Sequence, residues 1–155
     1  MSEKLNLKQI LGCIDMNYKG AWDEFTDEEK KSVSFWLLNR YVSSVQGSRN
    51  KQKSAIFKTN EYYNKNFNDI GVGKEKGHPK LLWQLLCLCG NTGDIEYHPW
   101  IGFKKRNGSG SGKAHKLVQQ IYPHYKNDEV ELLVRLSTKK ELQQLAEEHD
   151  IDIKL

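Results

Sequence analysis

The segment 80–89, KLLWQLLCLC, sets the strongest limit on what this chain can become. It is apolar nearly all round, and a helix of that character has to be surrounded by other elements rather than laid on a surface. Pro79 suits the first helical position, where its missing N–H has no intrahelical partner to lose, and Gly90-Asn91 closes the run. The segment is too short to cross a bilayer. No stretch of 18 apolar residues occurs elsewhere either, so nothing is expected to span a membrane. The rest of the chain must supply walls for this helix.

Helical walls are what the remaining pattern predicts. Leu7, Ile10, Leu11 and Ile14 recur at i, i+3, i+4 and i+7 and share one helix face, with Asn6 as N-cap. Thr26-Asp27-Glu28-Glu29 is a capping box. The helix it opens is expected to run through Phe35, Trp36, Leu38 and Tyr41 to Gly47, with Ser32 and Ser34 marking a break. Residues 51–64, with Ile56, Phe57, Tyr62 and Tyr63, predict another helix, and 71–77 a polar glycine loop. Residues 91–112 read as irregular. A short helix follows over 113–122, stopped by Pro123. Asn127-Asp128-Glu129 is expected to cap the next, and Thr138-Lys139-Lys140-Glu141 is a second capping box. No strand alternates for more than a few residues. The fold class is therefore mostly α.

The 155 residues include four Trp, seven Tyr and five Phe, too aromatic a composition for disorder. The layout is a helical body over 1–103, a basic Gly/Ser tether over 104–114 and a small helical unit over 115–155. Alone, that last unit is near the lower size limit for independent folding. Charge divides unevenly. Residues 127–155 carry eight acids and four bases, net −4, and residues 1–126 hold the other 20 bases and 12 acids, net +8. Two surfaces for two partners, or solvated helix faces that differ in sign, would both give this split. The N-terminus lacks an apolar run after its first residues, so no secretory signal is expected, and the cytosol is the expected compartment. Three cysteines, an odd count without CxxC spacing, argue against a disulfide framework and a zinc site.

The tether, KKRNGSGSGKAHK, invites comparison with a phosphate-binding loop. Gly112-Lys113 fits the last Gly-Lys pair of G-x-x-x-x-G-K-[ST], but Asn107 stands where the first glycine belongs and Ala114 where the magnesium-binding hydroxyl belongs. The preceding residues do not form a buried strand. A flexible tether is the better reading. Carboxylate pairs sit at helix starts or beside basic residues, where acids suit the dipole. His78-Pro79 and His98-Pro99 lack metal-ligand spacing, and each His is expected to cap a coming helix. With no nucleophile elbow and no HExxH, the chain reads as a non-enzyme without catalytic residues, cofactor or metal. Lys104, Lys105, Arg106, Lys113 and Lys116 are candidate phosphate contacts for nucleic acid. Trp100 and Phe103 nearby would stack on bases or anchor the tether by burial. A stand-alone helical DNA-binding regulator is one function consistent with this.

Several stretches in order carry a resemblance: TDEEKK (26–31), LLNRYVSSVQG (37–47), TNEYYNKNF (59–67), HPKLLWQLL (78–86), HPWI (98–101) and YPHYKNDEVELLVRL (122–136), followed by a Lys-Glu-Leu helix. Together they resemble the small subunit of the sliding-clamp loader encoded by T-even-type phages, especially the shorter versions in marine relatives. The resemblance covers most of the chain and rests on order and pattern. It implies a five-subunit ring in which four copies of a large ATPase subunit bind ATP and magnesium. One small, non-catalytic subunit would complete the ring with a helical collar domain and an extra domain. The sliding clamp and primer–template DNA would be the further partners, and the cytoplasm of an infected bacterium the location. The family offers no catalytic residues to carry over. Interfaces of this kind are built on aromatic and Arg anchors, and Trp36, Arg40, Tyr41 and Trp100 are the candidates for partner binding. Trp83 is a further candidate that core packing claims equally.

Overall fold

A computed structural model describes residues 5–70, 77–90, 92–100 and 112–155. The described residues are mostly helical and contain no strand. The chain divides into two compact units, Met1–Trp100 and Ile101–Leu155. Most of the expected tether, residues 104–111, lies outside the described residues; its last two expected residues, Lys113 and Ala114, already belong to the helix α8 (Lys113–Ile121).

In the first unit, the apolar run forms α7 (Pro79–Gly90), and the other elements surround it as its composition demands. Leu82, Trp83, Leu86 and Cys87 are fully buried. Against them pack α1 (Leu7–Asp15), α4 (Phe35–Val42) and a long helical stretch over 49–70. Trp83 is thereby a core residue: its ring lies 5.3 Å from Phe25 and 6.1 Å from Trp22, and its indole N–H donates to Tyr18 O at 3.2 Å. It is therefore not available to a partner. The outer face of α7 keeps Leu81 and Leu88 exposed.

The helical run expected from Thr26 to Gly47, with its break marked at Ser32 and Ser34, is two helices. α3 (Asp27–Ser32) follows the short α2 (Ala21–Glu24) and has the capping box at Thr26 and Glu29. The chain breaks at Val33 and Ser34, and Ser34 then caps α4 by accepting the Leu37 N–H. α4 ends at Val42 rather than Gly47. The Ser43 hydroxyl donates to Arg40 O at 3.0 Å, and that of Ser44 is within reach of Tyr41 O at 3.2 Å and Pro99 O at 2.6 Å. Buried hydroxyls that satisfy the last-turn carbonyls compete with continued helix.

The helix expected over 51–64 is longer and irregular. α5 (Arg49–Lys58) passes into a π-helical turn, Thr59–Asn64, and then α6 (Lys65–Ile70). Its cause is polar and local. The Thr59 hydroxyl bonds Ala55 O, and the Asn60 amide donates to Ile56 O at 2.9 Å, so buried side chains take carbonyls the helix ladder would use. Asn60 Oδ1 accepts from Asn64, and Asn64 Oδ1 accepts from Asn39 of α4 at 2.6 Å, which carries this polar ladder across to a second helix.

The second unit holds α8 (Lys113–Ile121), α9 (Asn127–Leu136) and α10 (Lys139–Glu148) around Leu117, Val118, Val130, Leu133, Leu142 and Ala146. The capping box at Thr138 and Glu141 is formed. The cap of α9 falls one residue earlier than expected: Lys126 is the N-cap, its N–H donating to Glu129 at 3.1 Å, and Asn127 is already helical.

Gly90 is where α7 touches α1. A Cβ there would lie 2.6 Å from Ile14 O and 2.7 Å from its Cγ2. Helix propensity alone favours alanine over glycine by about 1 kcal/mol. Gly90→Ala is expected instead to destabilise the unit by about 1–3 kcal/mol through overpacking. Urea unfolding followed by tryptophan fluorescence measures this, and all four tryptophans lie in the first unit, so the signal belongs to it. A variant as stable as the parent would refute the contact.

Candidate interaction surface

Leu7, Leu11 and Asp15 occupy successive i, i+4 positions on α1, so a carboxylate lies in register with the apolar stripe. Asp15 is 0% exposed, and a buried carboxylate needs partners. It finds them in His98, whose Nε2 is 3.0 Å from Asp15 Oδ1 and 3.2 Å from Oδ2. His98 Nδ1 is 2.8 Å from Tyr41 O and 3.0 Å from Ser44 O. Both ring nitrogens thus face acceptors. A neutral imidazole would turn a lone pair on one of them, so the geometry calls for imidazolium, donating from both sides. Burial alone pulls the His98 pKa down, but the hydrogen bond and charge of Asp15, with the two carbonyls, outweigh it and the net shift is upward. His98 was expected to cap a coming helix; it closes the end of the preceding α4 instead. His78 does stand directly before α7, its carbonyl accepting the Leu82 N–H.

The same cluster fixes the irregular segment 92–100. Thr92 and Gly93 N–H donate to Asp15 O, and Glu96 N–H donates to Asp15 Oδ2 at 2.9 Å. The Glu96 carboxylate pairs with Lys51 of α5. Tyr97 O accepts from Gln46 N–H at 2.9 Å. A stretch without secondary structure is thereby held to α1, α4 and α5 by polar bonds.

These ties set Trp100 against α4. Its ring centroid is 5.2 Å from that of Tyr41, and the Arg40 guanidinium carbon is 5.3 Å from it. Arg40 also lies 5.8 Å from the Trp36 ring, one turn earlier on the same helix face. The four residues singled out for partner binding, Trp36, Arg40, Tyr41 and Trp100, thus stand together. Trp36 is 58% exposed and Trp100 48%, with Tyr97 and Ile95 also exposed on the same segment. A cation between two solvent-facing indoles is an anchor of the kind enriched at protein interfaces.

Of the cations singled out for nucleic acid, two lie among the described residues. Lys104, Lys105 and Arg106 lie outside the described residues. Lys113 and Lys116 are exposed on α8, and the Lys113 ammonium donates to Lys154 O at 2.8 Å, tying the start of α8 to the C-terminal segment. Sequence reading passed over another basic stretch, α5 itself, where Arg49, Lys51, Lys53 and Lys58 occur without an acid. It also passed over Asp15, although an acid in register with an apolar stripe was a usable signal. All three cysteines are free, and burial pushes the buried thiols Cys87 and Cys89 up to about 12, which keeps them protonated. Among the described residues no group of three or more His, Cys, Asp or Glu is placed to hold a metal ion, and no helix is long and apolar enough to cross a membrane.

Comparison with protein families, with curated proteins and with solved structures finds no match for this chain.

The His98 clasp has a definite pH signature. The groups around the ring are the Asp15 carboxylate, with Glu96, Lys51, Lys58 and the Cys89 thiol on the neighbouring elements. Because the folded pKa is raised, the stabilisation is fully present below the unfolded value of about 6.5 and is lost as pH climbs through the folded value. The stability difference between the parent and His98→Gln should therefore shrink as pH rises, in urea unfolding at successive pH. A difference constant between about pH 6 and 9 would exclude the imidazolium.

Proposed function

We propose that this chain is the non-catalytic small subunit of a phage sliding-clamp loader, working as a nucleotide-blind member of a motor ring in the cytoplasm of an infected bacterium. Its partners are a large ATPase subunit, in a likeness to the four-to-one ring of the resembled family, the sliding clamp and primer–template DNA. ATP and magnesium belong to the ATPase subunit. The observation that carries this reading is the solvent-facing Trp36–Arg40–Trp100 cluster on a helical body. Large aromatic rings left exposed around an arginine suit a permanent protein partner better than solvent. The exposed Leu81 and Leu88 on α7 give the same unit a second apolar face. The ordered sequence resemblance supplies the identity of the partner. In this role the chain acts by differential contact: an interface that fits one state of the ATPase ring better than another biases the ring toward it.

A second reading, a stand-alone DNA-binding regulator, draws support from the acid-free α5 with its four cations. Salt-sensitive DNA binding by the isolated chain would favour it.

Co-expression with a phage clamp-loader ATPase subunit, followed by native mass spectrometry, tests the loader reading. The expected result is a four-to-one complex with DNA-stimulated ATPase activity, and none in this chain alone. Trp36→Ala and Arg40→Ala should each weaken assembly by about 2 kcal/mol or more, the range of interface anchors. A folded monomer that ignores the ATPase would overturn the proposal.

A further inference from the structure

A cavity of about 210 Å³ opens behind the clasp, between α5, the ends of α4 and α7, and the segment 92–100. Asp15 and His98 lie in its wall, and α5 presents Lys51, Ser54 and Lys58 to it at i, i+3 and i+7, one helix face. Charges in and around the cavity do not cancel. Asp15 is matched by the His98 imidazolium and Glu96 by Lys51, which leaves Lys58 with no ion-pair partner among the described residues. The Asp15 oxygens are already engaged by His98 and by Glu96 N–H. Unmatched capacity in the cavity is therefore that of donors: the ammonium of the half-buried Lys58 and the hydroxyl of Ser54, which is exposed at the mouth.

We propose that this cavity is a binding site for a phosphate-type oxyanion, held by Lys58 and Ser54 of α5 with Lys51 at the rim. A tetrahedral oxyanion matches the surplus. It brings several acceptor oxygens to a concave site that offers a cation and a hydroxyl donor, and charge-assisted bonds of this type are the strong ones. A metal cation does not match, because the carboxylate in the wall is already paired with the His98 imidazolium and accepts the Glu96 N–H, while the groups left without a partner are donors. Nucleophilic chemistry does not match either, because the Cys89 thiol in the wall is protonated and donates to Lys58 O. The same phosphate chemistry reaches the cavity from a free anion or from a nucleic-acid backbone, since α5 is basic along its length. This inference is independent of the loader reading.

Amide NMR on the full chain, titrated with inorganic phosphate against sodium chloride of equal ionic strength, tests it. Phosphate should shift the signals of Ser54, Lys58 and His98 where chloride does not. Lys58→Gln should raise the phosphate dissociation constant about tenfold, the loss of one charge-assisted hydrogen bond, and Lys58→Arg should restore most of it. Ser54→Ala gives a second, milder weakening, and thermal melts of each variant establish that it folds. A short single-stranded oligonucleotide then separates the sources. Competition between it and phosphate for the same signals identifies a backbone phosphodiester as the ligand; phosphate shifts that the oligonucleotide leaves untouched identify a free anion. Either result supports the site. Equal responses to phosphate and chloride, or a folded Lys58→Gln that binds phosphate as the parent does, would overturn it.

Discussion

The first unit depends on one buried charge. Asp15, at the end of α1, has no access to solvent, and a carboxylate in that position cannot persist without donors. His98 supplies one ring N–H, the Glu96 backbone another donor, and the second ring nitrogen extends the contact to two carbonyls at the end of α4. Three pieces of chain that share no secondary structure meet at that pair. Breaking a buried pair by removing one partner typically costs about 3–5 kcal/mol, because the other charge is left stranded. The same pair explains why α4 stops where it does: the carbonyls of Tyr41 and Ser44 have found donors outside the helix, so continuing it toward Gly47 offers nothing they lack.

Polar groups also decide the shape of the helix opposite. In a wholly apolar core the stretch 49–70 would have no reason to widen. Thr59 and Asn60 are buried, and each turns its side chain onto a carbonyl four residues back. Asn64 and Asn39 continue the line to α4. Apolar packing against α7 makes the unit compact, while these bonds select one rotation of the long helix against α4. A sliding or rotated alternative would leave amides unpaired in the core, at about 1–3 kcal/mol each.

What was legible in the sequence was local. Thr26, Thr138 and Asn6 announce helix starts because a cap is decided by residues three apart, and Pro79 to Gly90 announces the central helix because its apolar surface is continuous. Trp36 and Arg40 were legible as neighbours, being four apart on a helix. Trp100 joins them through long-range ties of the segment 92–100, chief among them His98, 83 residues from its carboxylate in sequence. No periodicity encodes a pairing of that separation. The break at Val33 and Ser34 was legible from Ser32 and Ser34, but the early end of α4 and the π turn escaped for a related reason: each rests on a side chain bonding to backbone, and Ser, Thr and Asn offer that choice without revealing which way it is taken. The tether cations Lys104, Lys105 and Arg106 fall outside the described residues, and Lys113 is spent on Lys154 O.

The segment 92–100 links the two surfaces of the unit physically. Glu96 reaches Lys51 at the rim of the cavity, His98 forms part of its wall, and Trp100 ends on the aromatic surface beside Arg40. An anion that draws Lys51 away from Glu96 removes one of the bonds holding this segment, and Trp100 is then held by fewer. A partner seated on Trp36, Arg40 and Trp100 holds the segment in place and so keeps Glu96 on Lys51. On the proposed anion site and partner surface, occupancy of one would therefore alter the free energy of the other, and linkage would make the effect equal in both directions. Its sign follows from Lys51: while Glu96 and the anion compete for one ammonium, the two binding events oppose each other.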